Sequence, residues 1–265
     1  MVKKERLDVL LVEKGLSESR EKAKRAIMAG IVYVDQQRID KAGTQVNKSS
    51  DIFLKAIECP YVSRGGLKLQ KALDTFGLQL EDQIAMDIGA STGGFTDCML
   101  QKGAKKVYAL DVGYGQLDWK LRNEPRVCNM EKTNIRYLNK EEITDSIDFI
   151  TIDVSFISLT LVLPVAFELL NEKGKLVCLV KPQFEAGRQQ VGKNGIVKDK
   201  KIHMEVLERV TSFSHELGFF IKGLSFSPVK GAKGNIEYLL FLTKNSDSND
   251  FYNINETVDS AHSEL

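Results

Sequence analysis

The sequence predicts an α/β protein whose larger part is a mostly parallel sheet covered by helices on both faces, preceded by a small α+β module. Three features lead there. From Arg64 onward, short apolar runs alternate with segments of helical spacing. One run, Ile84-Ala85-Met86, breaks into the glycine turn Asp87-Ile-Gly-Ala-Ser-Thr-Gly-Gly-Phe-Thr96. Charged residues close several of the runs, at Asp87, Asp111, Asp153 and Lys181. Ligands of such open sheets bind beyond the carboxyl ends of the strands, which is where these four residues fall.

The 265 residues allow one large domain or two smaller ones, each with a real core. A net charge of +1 hides an uneven distribution: residues 1–80 carry fifteen Lys or Arg against ten acids, whereas residues 246–265 carry five acids and no Lys or Arg. A basic front module suggests a polyanionic partner, and the acidic, Ser/Asn-rich end reads as a disordered tail over 246–265. The cysteines Cys59, Cys98, Cys128 and Cys178 show neither C-x-x-C nor Cys/His spacing, so neither a metal site nor a disulfide framework is expected and a reducing cytoplasm fits. No segment approaches the roughly 18 apolar residues of a membrane span, and the N-terminus lacks an apolar targeting core.

Residues 1–57 form the first expected domain. Leu7, Leu10, Leu11 and Val12 make one apolar helical face, Gly15 ends that helix, and Ser17 can cap a second helix running to Gly30. The second helix sets Arg20, Lys22, Lys24 and Arg25 among Ala23, Ala26 and Ile27, so one face packs while the other presents cations. The alternation from Ile31 to Ile39 reads as a strand and turn. The stretches Arg6-Leu-Asp-Val-Leu-Leu, Ser19-Arg20 through Ala29-Gly30, and Val32-Tyr-Val-Asp35 resemble the small RNA-binding domain first named from ribosomal small-subunit protein four. That resemblance implies RNA contacts at Arg20, Lys24 and Arg25, with Arg6 beside them.

Residues 58–63 read as a linker, because Pro60 opposes helical continuation. In the domain expected over 64–245, strands are predicted at 84–88, 106–111, 126–129, 148–153 and 175–180, and helices at 65–77, 94–102, 158–171 and 201–217. Strands at 219–227 and 237–243 follow one another without a helix, so they should form a hairpin with one antiparallel strand.

The glycine turn is neither G-x-G-x-x-G nor G-x-x-x-x-G-K-[ST], which disfavours a pyrophosphate or triphosphate. A nucleoside ligand without phosphates fits better, and S-adenosylmethionine is one. Asp111, ending the next strand, is placed to accept from a ribose diol. Asp153 and Lys181 end neighbouring buried strands, where charges are costly unless they meet each other or a ligand. Lys181-Pro-Gln-Phe-Glu185 leads into a loop holding Gly187, Gly192 and Gly195 that reads as a lid. His203 and His215 fall on an expected surface helix and read as structural, while Tyr114 and Trp119 suit either adenine stacking or core packing.

Taken together, Ser63-Arg-Gly-Gly-Leu-Lys68, Asp87 to Thr96, Asp111-Val-Gly-Tyr-Gly-Gln-Leu117, Lys181 to Glu185 and Gly234-Asn-Ile-Glu237 resemble the TlyA family, whose members are named both hemolysins and ribosomal RNA 2′-O-methyltransferases. The resemblance covers residues 4–244 and implies a Rossmann-like, FtsJ-type methyltransferase domain. Its Lys-Asp-Lys-Glu tetrad falls on Lys68, Asp153, Lys181 and Glu237, with Lys181 as base, Asp153 orienting it, and Lys68 and Glu237 holding the ribose. Asp87, Gly89, Ala90, Ser91, Thr92, Gly93, Gly94, Phe95, Asp111 and Val112 are then the expected contacts for S-adenosylmethionine, and Arg64 joins the RNA contacts. The implied substrates are cytidines of ribosomal RNA or ribosomal subunits, with no membrane and no metal involved. A membrane-lytic protein and a non-catalytic RNA-binding assembly factor are the competing readings.

Overall fold

A computed structural model describes residues 4–28, 30–54, 59–245 and 252–265, with the Arg25 side chain outside that description. The chain divides into two compact units, Met1–Cys59 and Pro60–Leu265. The first runs β1 (Lys4–Arg6), α1 (Leu7–Glu13), α2 (Arg20–Met28), β2 (Val32–Val34), β3 (Gln37–Arg38), β4 (Gln45–Asn47) and β5 (Ile52–Leu54). β1 pairs antiparallel with β4, and β2 is flanked by β3 and β5. Leu7, Leu10 and Leu11 from α1 meet Ala23 and Ile27 from α2 and Val32, Val46 and Ile52 from the strands in one small core. The apolar stripe predicted for the first helix is therefore the face that buries.

The second unit contains α3 (Gly65–Phe76), β6 (Ile84–Ile88), α4 (Gly94–Gln101), β7 (Lys106–Asp111), α5 (Trp119–Arg122), β8 (Val127–Glu131), β9 (Ile147–Ile152), α6 (Leu163–Leu169), β10 (Leu170–Val180), α7 (Pro182–Glu185), α8 (Lys200–Glu216), β11 (Phe220–Phe226), β12 (Tyr238–Thr243) and α9 (Ile254–Glu264). Its seven strands lie in the order β11-β12-β10-β9-β6-β7-β8, and β12 alone runs against its neighbours. This is the expected mostly parallel sheet with a final hairpin. The strands are near-continuous apolar runs because both faces are covered. Ile88, Ile150, Ile152, Cys178, Val180 and Leu240 all belong to one buried cluster.

Three expectations are corrected. The helix predicted over 158–171 is shorter: a 3-10 turn at Leu159–Leu161 precedes α6, and Leu170 already pairs with Ile147 of β9, so tertiary pairing overrides helical spacing at its end. Residues 60–63, read as linker, are tied to α4: the Val62 N–H donates to Asp97 Oδ2 at 2.8 Å, and Gln101 Nε2 donates to the Pro60 carbonyl at 2.8 Å. Glu58 of that linker lies outside the described residues.

The third correction concerns the tail. Composition suggested disorder, yet Asn253 caps α9 by accepting from the Glu256 N–H, and Val258 and Ala261, three residues apart on one helical face, are fully buried in the main core. Five acids spread over the tail mask this short apolar stripe in any average. Residues 246–251 of the expected tail lie outside the described residues. Val258→Asp would bury an unpaired carboxylate, so it should cost at least about 3 kcal/mol of stability in denaturant unfolding; an unchanged midpoint would mean that α9 contributes nothing to the fold.

Candidate active site

The carboxyl ends of β6, β7, β9 and β10 open on two adjoining cavities. One, of about 440 Å³, is lined by Lys68, Asp153, Lys181 and Glu237 together with the glycine turn. The other, of about 390 Å³, lies against Asp111, Val112 and Ile135. Gly89, Ser91, Asp153, Ser155 and Phe156 border both.

Four charged side chains from four elements converge in the first cavity. Lys68 comes from the first turn of α3, Asp153 and Lys181 directly follow β9 and β10, and Glu237 precedes β12. Lys68 Nζ donates to Glu237 Oε2 at 2.6 Å and lies 3.8 Å from Asp153 Oδ2. The other Asp153 oxygen, Oδ1, is 2.5 Å from Lys181 Nζ, which also donates to Ser155 Oγ at 3.2 Å. Gln183 Nε2 donates to Glu237 Oε1 at 3.4 Å. Lys181 and Glu237 are buried and Asp153 is partly so. The chain is thus Glu237, Lys68, Asp153, Lys181: alternating charges with no net sum, the condition under which buried ions are tolerable.

The glycine turn has a structural reason for its composition. Gly89 has φ +87, and a Cβ there would lie 2.6 Å from the Asp153 carbonyl oxygen, so the ends of β6 and β9 could not close up. Gly93 has φ +95 and caps α4, where a Cβ would strike Leu121 at 2.2 Å. Asp87 is fully buried. Its Oδ2 accepts from the Thr96 N–H at 2.9 Å and the Thr96 hydroxyl at 2.7 Å, and its Oδ1 from the Thr151 hydroxyl at 3.1 Å. Asp87 lines the first cavity, as expected, while its carboxylate also holds the turn against α4 and β9. Burial pushes the Asp87 pKa up to about 7, with help from the Asp153 charge and against those three donors.

Of the other expected cofactor residues, Ala90, Thr92, Gly94 and Phe95 line the first cavity, Asp111 and Val112 the second, and Gly89 and Ser91 both. Gly93 lines neither. Asp111 is oriented by accepting from the Ser91 N–H at 2.8 Å and the Gly113 N–H at 2.7 Å. The second cavity carries Asp111 and Asp153 and no cation among its lining residues. A lining of that charge suits a cationic nucleoside and repels a phosphate, so the chain's residues fit S-adenosylmethionine.

Sequence reasoning missed Ser155, Phe156 and Gln183 as site residues. Phe156 is 91 % exposed at φ +64, an uncommon conformation for a bulky residue, and its ring lies 4.9 Å from that of Phe184. No signal along the chain marks a backbone strain of that kind. Trp119 and Tyr114 are exposed, which removes core packing as their role. His203 is fully buried on the inner face of α8, not at the surface. In the first unit, Arg6 and Arg20 share one buried partner: Arg6 Nε donates to Asp8 Oδ1 at 2.9 Å and Arg20 Nη2 to Asp8 Oδ2 at 2.9 Å, while both guanidinium groups stay about half exposed. Lys24 is exposed, Arg25 has no described side chain, and Arg64 is exposed at the rim of the first cavity.

Comparison with known proteins agrees with this division. Residues 61–244 match the FtsJ-like methyltransferase family and residues 5–52 match the S4 domain. The chain is 59 % identical over 241 residues to a candidate rRNA methyltransferase, YqxC, of Bacillus subtilis, covering 91 % of this chain and 86 % of that one. It is 42 % identical over 248 residues to the 16S/23S rRNA (cytidine-2'-O)-methyltransferase TlyA of Mycobacterium tuberculosis, covering 93 % and 92 %. A solved structure described as a candidate hemolysin from Streptococcus thermophilus superposes with a TM-score of 0.78 at 52 % identity, covering 100 % of this chain and 98 % of that one.

The Asp87 geometry makes a pH prediction. An unfolded aspartate titrates near about 3.9, so between about pH 4 and about pH 7 the folded protein binds the extra proton. This contribution to stability is full below about pH 4 and is lost as pH rises through about 7. Asp87→Asn lacks it, so the melting-temperature gap between wild type and variant should shrink steadily from pH 5 to pH 8; a gap independent of pH would refute the raised pKa.

Proposed function

The chain belongs to the TlyA family, in which an S4 domain precedes an FtsJ-like methyltransferase, and on that footing we propose that it methylates the ribose 2′-hydroxyl of a cytidine in ribosomal RNA. The observation that carries the reading is the juxtaposition of Lys68, Asp153, Lys181 and Glu237 at the edge of a cavity whose only charges are carboxylates. S-adenosylmethionine, when bound, supplies a methyl group made electrophilic by its sulfonium. Asp111 would hold its ribose diol, and the glycine turn would let its backbone approach.

The protein's own task is then to place a ribose hydroxyl in line and to take its proton. Lys181, after its resting proton has passed to solvent, would accept the proton of the 2′-hydroxyl as the oxygen bonds to the methyl carbon and the methyl–sulfur bond breaks, the bonding pair leaving with the sulfur as a neutral thioether. Asp153, 2.5 Å away, holds Nζ in place and stabilises the ammonium that forms. Lys68, fixed by Glu237, presents its ammonium to the ribose oxygens. Phe156, exposed where the two cavities meet, offers a ring face on which the target base can stack. Among the described residues no helix is long and apolar enough to cross a membrane, and nothing in the site calls for lysis. Ribosomal RNA as substrate supports a cytoplasmic location.

For the first unit, we infer that Arg6, Arg20 and Lys24 grip structured RNA. Asp8 holds the two guanidinium groups side by side, each about half exposed, an arrangement suited to adjacent phosphates.

Incubation with labelled S-adenosylmethionine and ribosomal subunits from a strain lacking the gene should place label on a ribose 2′-oxygen. Lys181→Ala should lower that transfer by roughly a hundredfold or more with cofactor binding nearly intact; retained turnover would remove the base assignment, and no label on any subunit would favour a non-catalytic assembly factor. Charge reversal at Arg20 and Lys24 should weaken RNA binding and flatten its salt dependence, by roughly 0.7–0.9 in log–log slope per lost phosphate contact. Unchanged binding would take the RNA-gripping role away from the first unit.

A further inference from the structure

Two loops meet near Glu237, and only one of them lines the first cavity. One is the glycine-containing segment 187–199 between α7 and α8; the other is the turn 227–236 between β11 and β12, from which Val229, Lys230, Gly231 and Ala232 line the cavity. They are joined by a closed circuit of buried and part-buried hydrogen bonds. Asn235, buried at 3 % exposure, accepts from the Val197 N–H on Oδ1 at 3.1 Å, and its Nδ2 donates to the carbonyls of Gly195 at 2.9 Å and Ala232 at 3.1 Å. The Val197 carbonyl in turn lies 3.0 Å from His203 Nε2. A carbonyl can only accept, so Nε2 carries the proton and Nδ1 accepts from the Tyr238 hydroxyl at 2.6 Å. Tyr238 follows Glu237 in the chain, and Asn235 precedes it by two residues. The circuit therefore runs from Asn235 through Val197 and His203 to Tyr238, with Glu237 between its two ends.

The turn also fits tightly over the carboxylate. A Cβ on Gly231 would lie 1.9 Å from Glu237 Oε1, and the Gly231 N–H is held by the Asn235 carbonyl at 2.9 Å. The Glu237 carbonyl accepts from the Ser227 N–H at 2.9 Å. Any release of the turn would thus free the side chain that fixes Lys68.

We propose that Asn235 and His203 are positioning residues: together they clasp the 187–199 loop to the 227–236 turn and so hold Glu237, and through it Lys68, in register with Asp153. Neither side chain lines the cavity, so neither touches substrate; they act through Glu237 and the two loops. This inference rests on the reading of Lys68, Asp153, Lys181 and Glu237 as the catalytic set. It gives buried His203 a task that a helix-face histidine would not otherwise have. It also accounts for Asn235, whose amide is the one group in the turn able both to accept from one loop segment and to donate to two others.

The test compares Asn235→Ala, His203→Phe and His203→Gln with Glu237→Gln and Lys181→Ala, measuring kcat, KM for S-adenosylmethionine and amide hydrogen exchange. Glutamine keeps a donor for the Val197 carbonyl and phenylalanine does not. Asn235→Ala and His203→Phe should lower kcat roughly tenfold or more while KM for S-adenosylmethionine stays within about twofold. Exchange should accelerate over 187–199 and 227–237 and not in β6 or β9, and His203→Gln should recover most of the lost turnover. Unaltered kcat in Asn235→Ala, or faster exchange throughout the sheet, would overturn the proposal. Normal turnover in Glu237→Gln would instead overturn the catalytic reading beneath it, while the exchange pattern would still report whether the two loops are clasped.

Discussion

The structure depends on one electrostatic constraint: two lysines and two carboxylates must lie together at the closed edge of a hydrophobic sheet. Each of these ions alone in that position would cost several kcal/mol, and removing one partner would leave another uncompensated. Alternation of sign along Glu237, Lys68, Asp153 and Lys181 removes the net charge while leaving each Nζ within reach of an open cavity. The sheet supplies the geometry, because parallel strands deliver Asp153 and Lys181 at one edge, and the antiparallel β12 starts where they end and so brings Glu237 to the same place. A fully parallel sheet would have put the start of its last strand at the opposite edge.

The same edge separates two chemistries with little intervening material. The second cavity holds only carboxylates as charged groups, while the first adds Lys68, Lys181, Arg64 and Lys230. Gly89 makes the partition thin, since any side chain there would wedge β6 away from the Asp153 backbone. Asp87, which lines the first cavity, also fixes the start of α4 and the inner face of β9 so that the turn keeps its shape. On the proposed function, a nucleoside cofactor and a polyanionic substrate would approach from different sides of one wall.

Polar groups buried away from that wall do related work. Asp8 in the first unit and the ring formed by Asn235, Val197, His203 and Tyr238 in the second are both buried hubs that hold exposed or reactive groups in a fixed arrangement. Satisfied networks of this kind rigidify what surrounds them, because each member would be costly to leave unpaired.

The sequence by itself determined the class of fold, the antiparallel final strand, the glycine turn and the strand-end charges Asp153 and Lys181, whereas Lys68 and Glu237 joined them only through resemblance to the TlyA family. Features of the first kind were legible because they rest on local rules: apolar runs that must be strands, glycines where the backbone turns sharply, and charges at strand ends that need partners. Tertiary structure alone decided the rest. It tied the Asp87 carboxylate to Thr96 and Thr151 and set Phe156 at a positive φ beside the cavities. It also buried His203 against Tyr238, cut short the helix begun near Leu159, and ordered α9 through Val258 and Ala261. Each outcome depends on neighbours far along the chain, and a residue's own type and spacing carry no record of which distant surface will cover it.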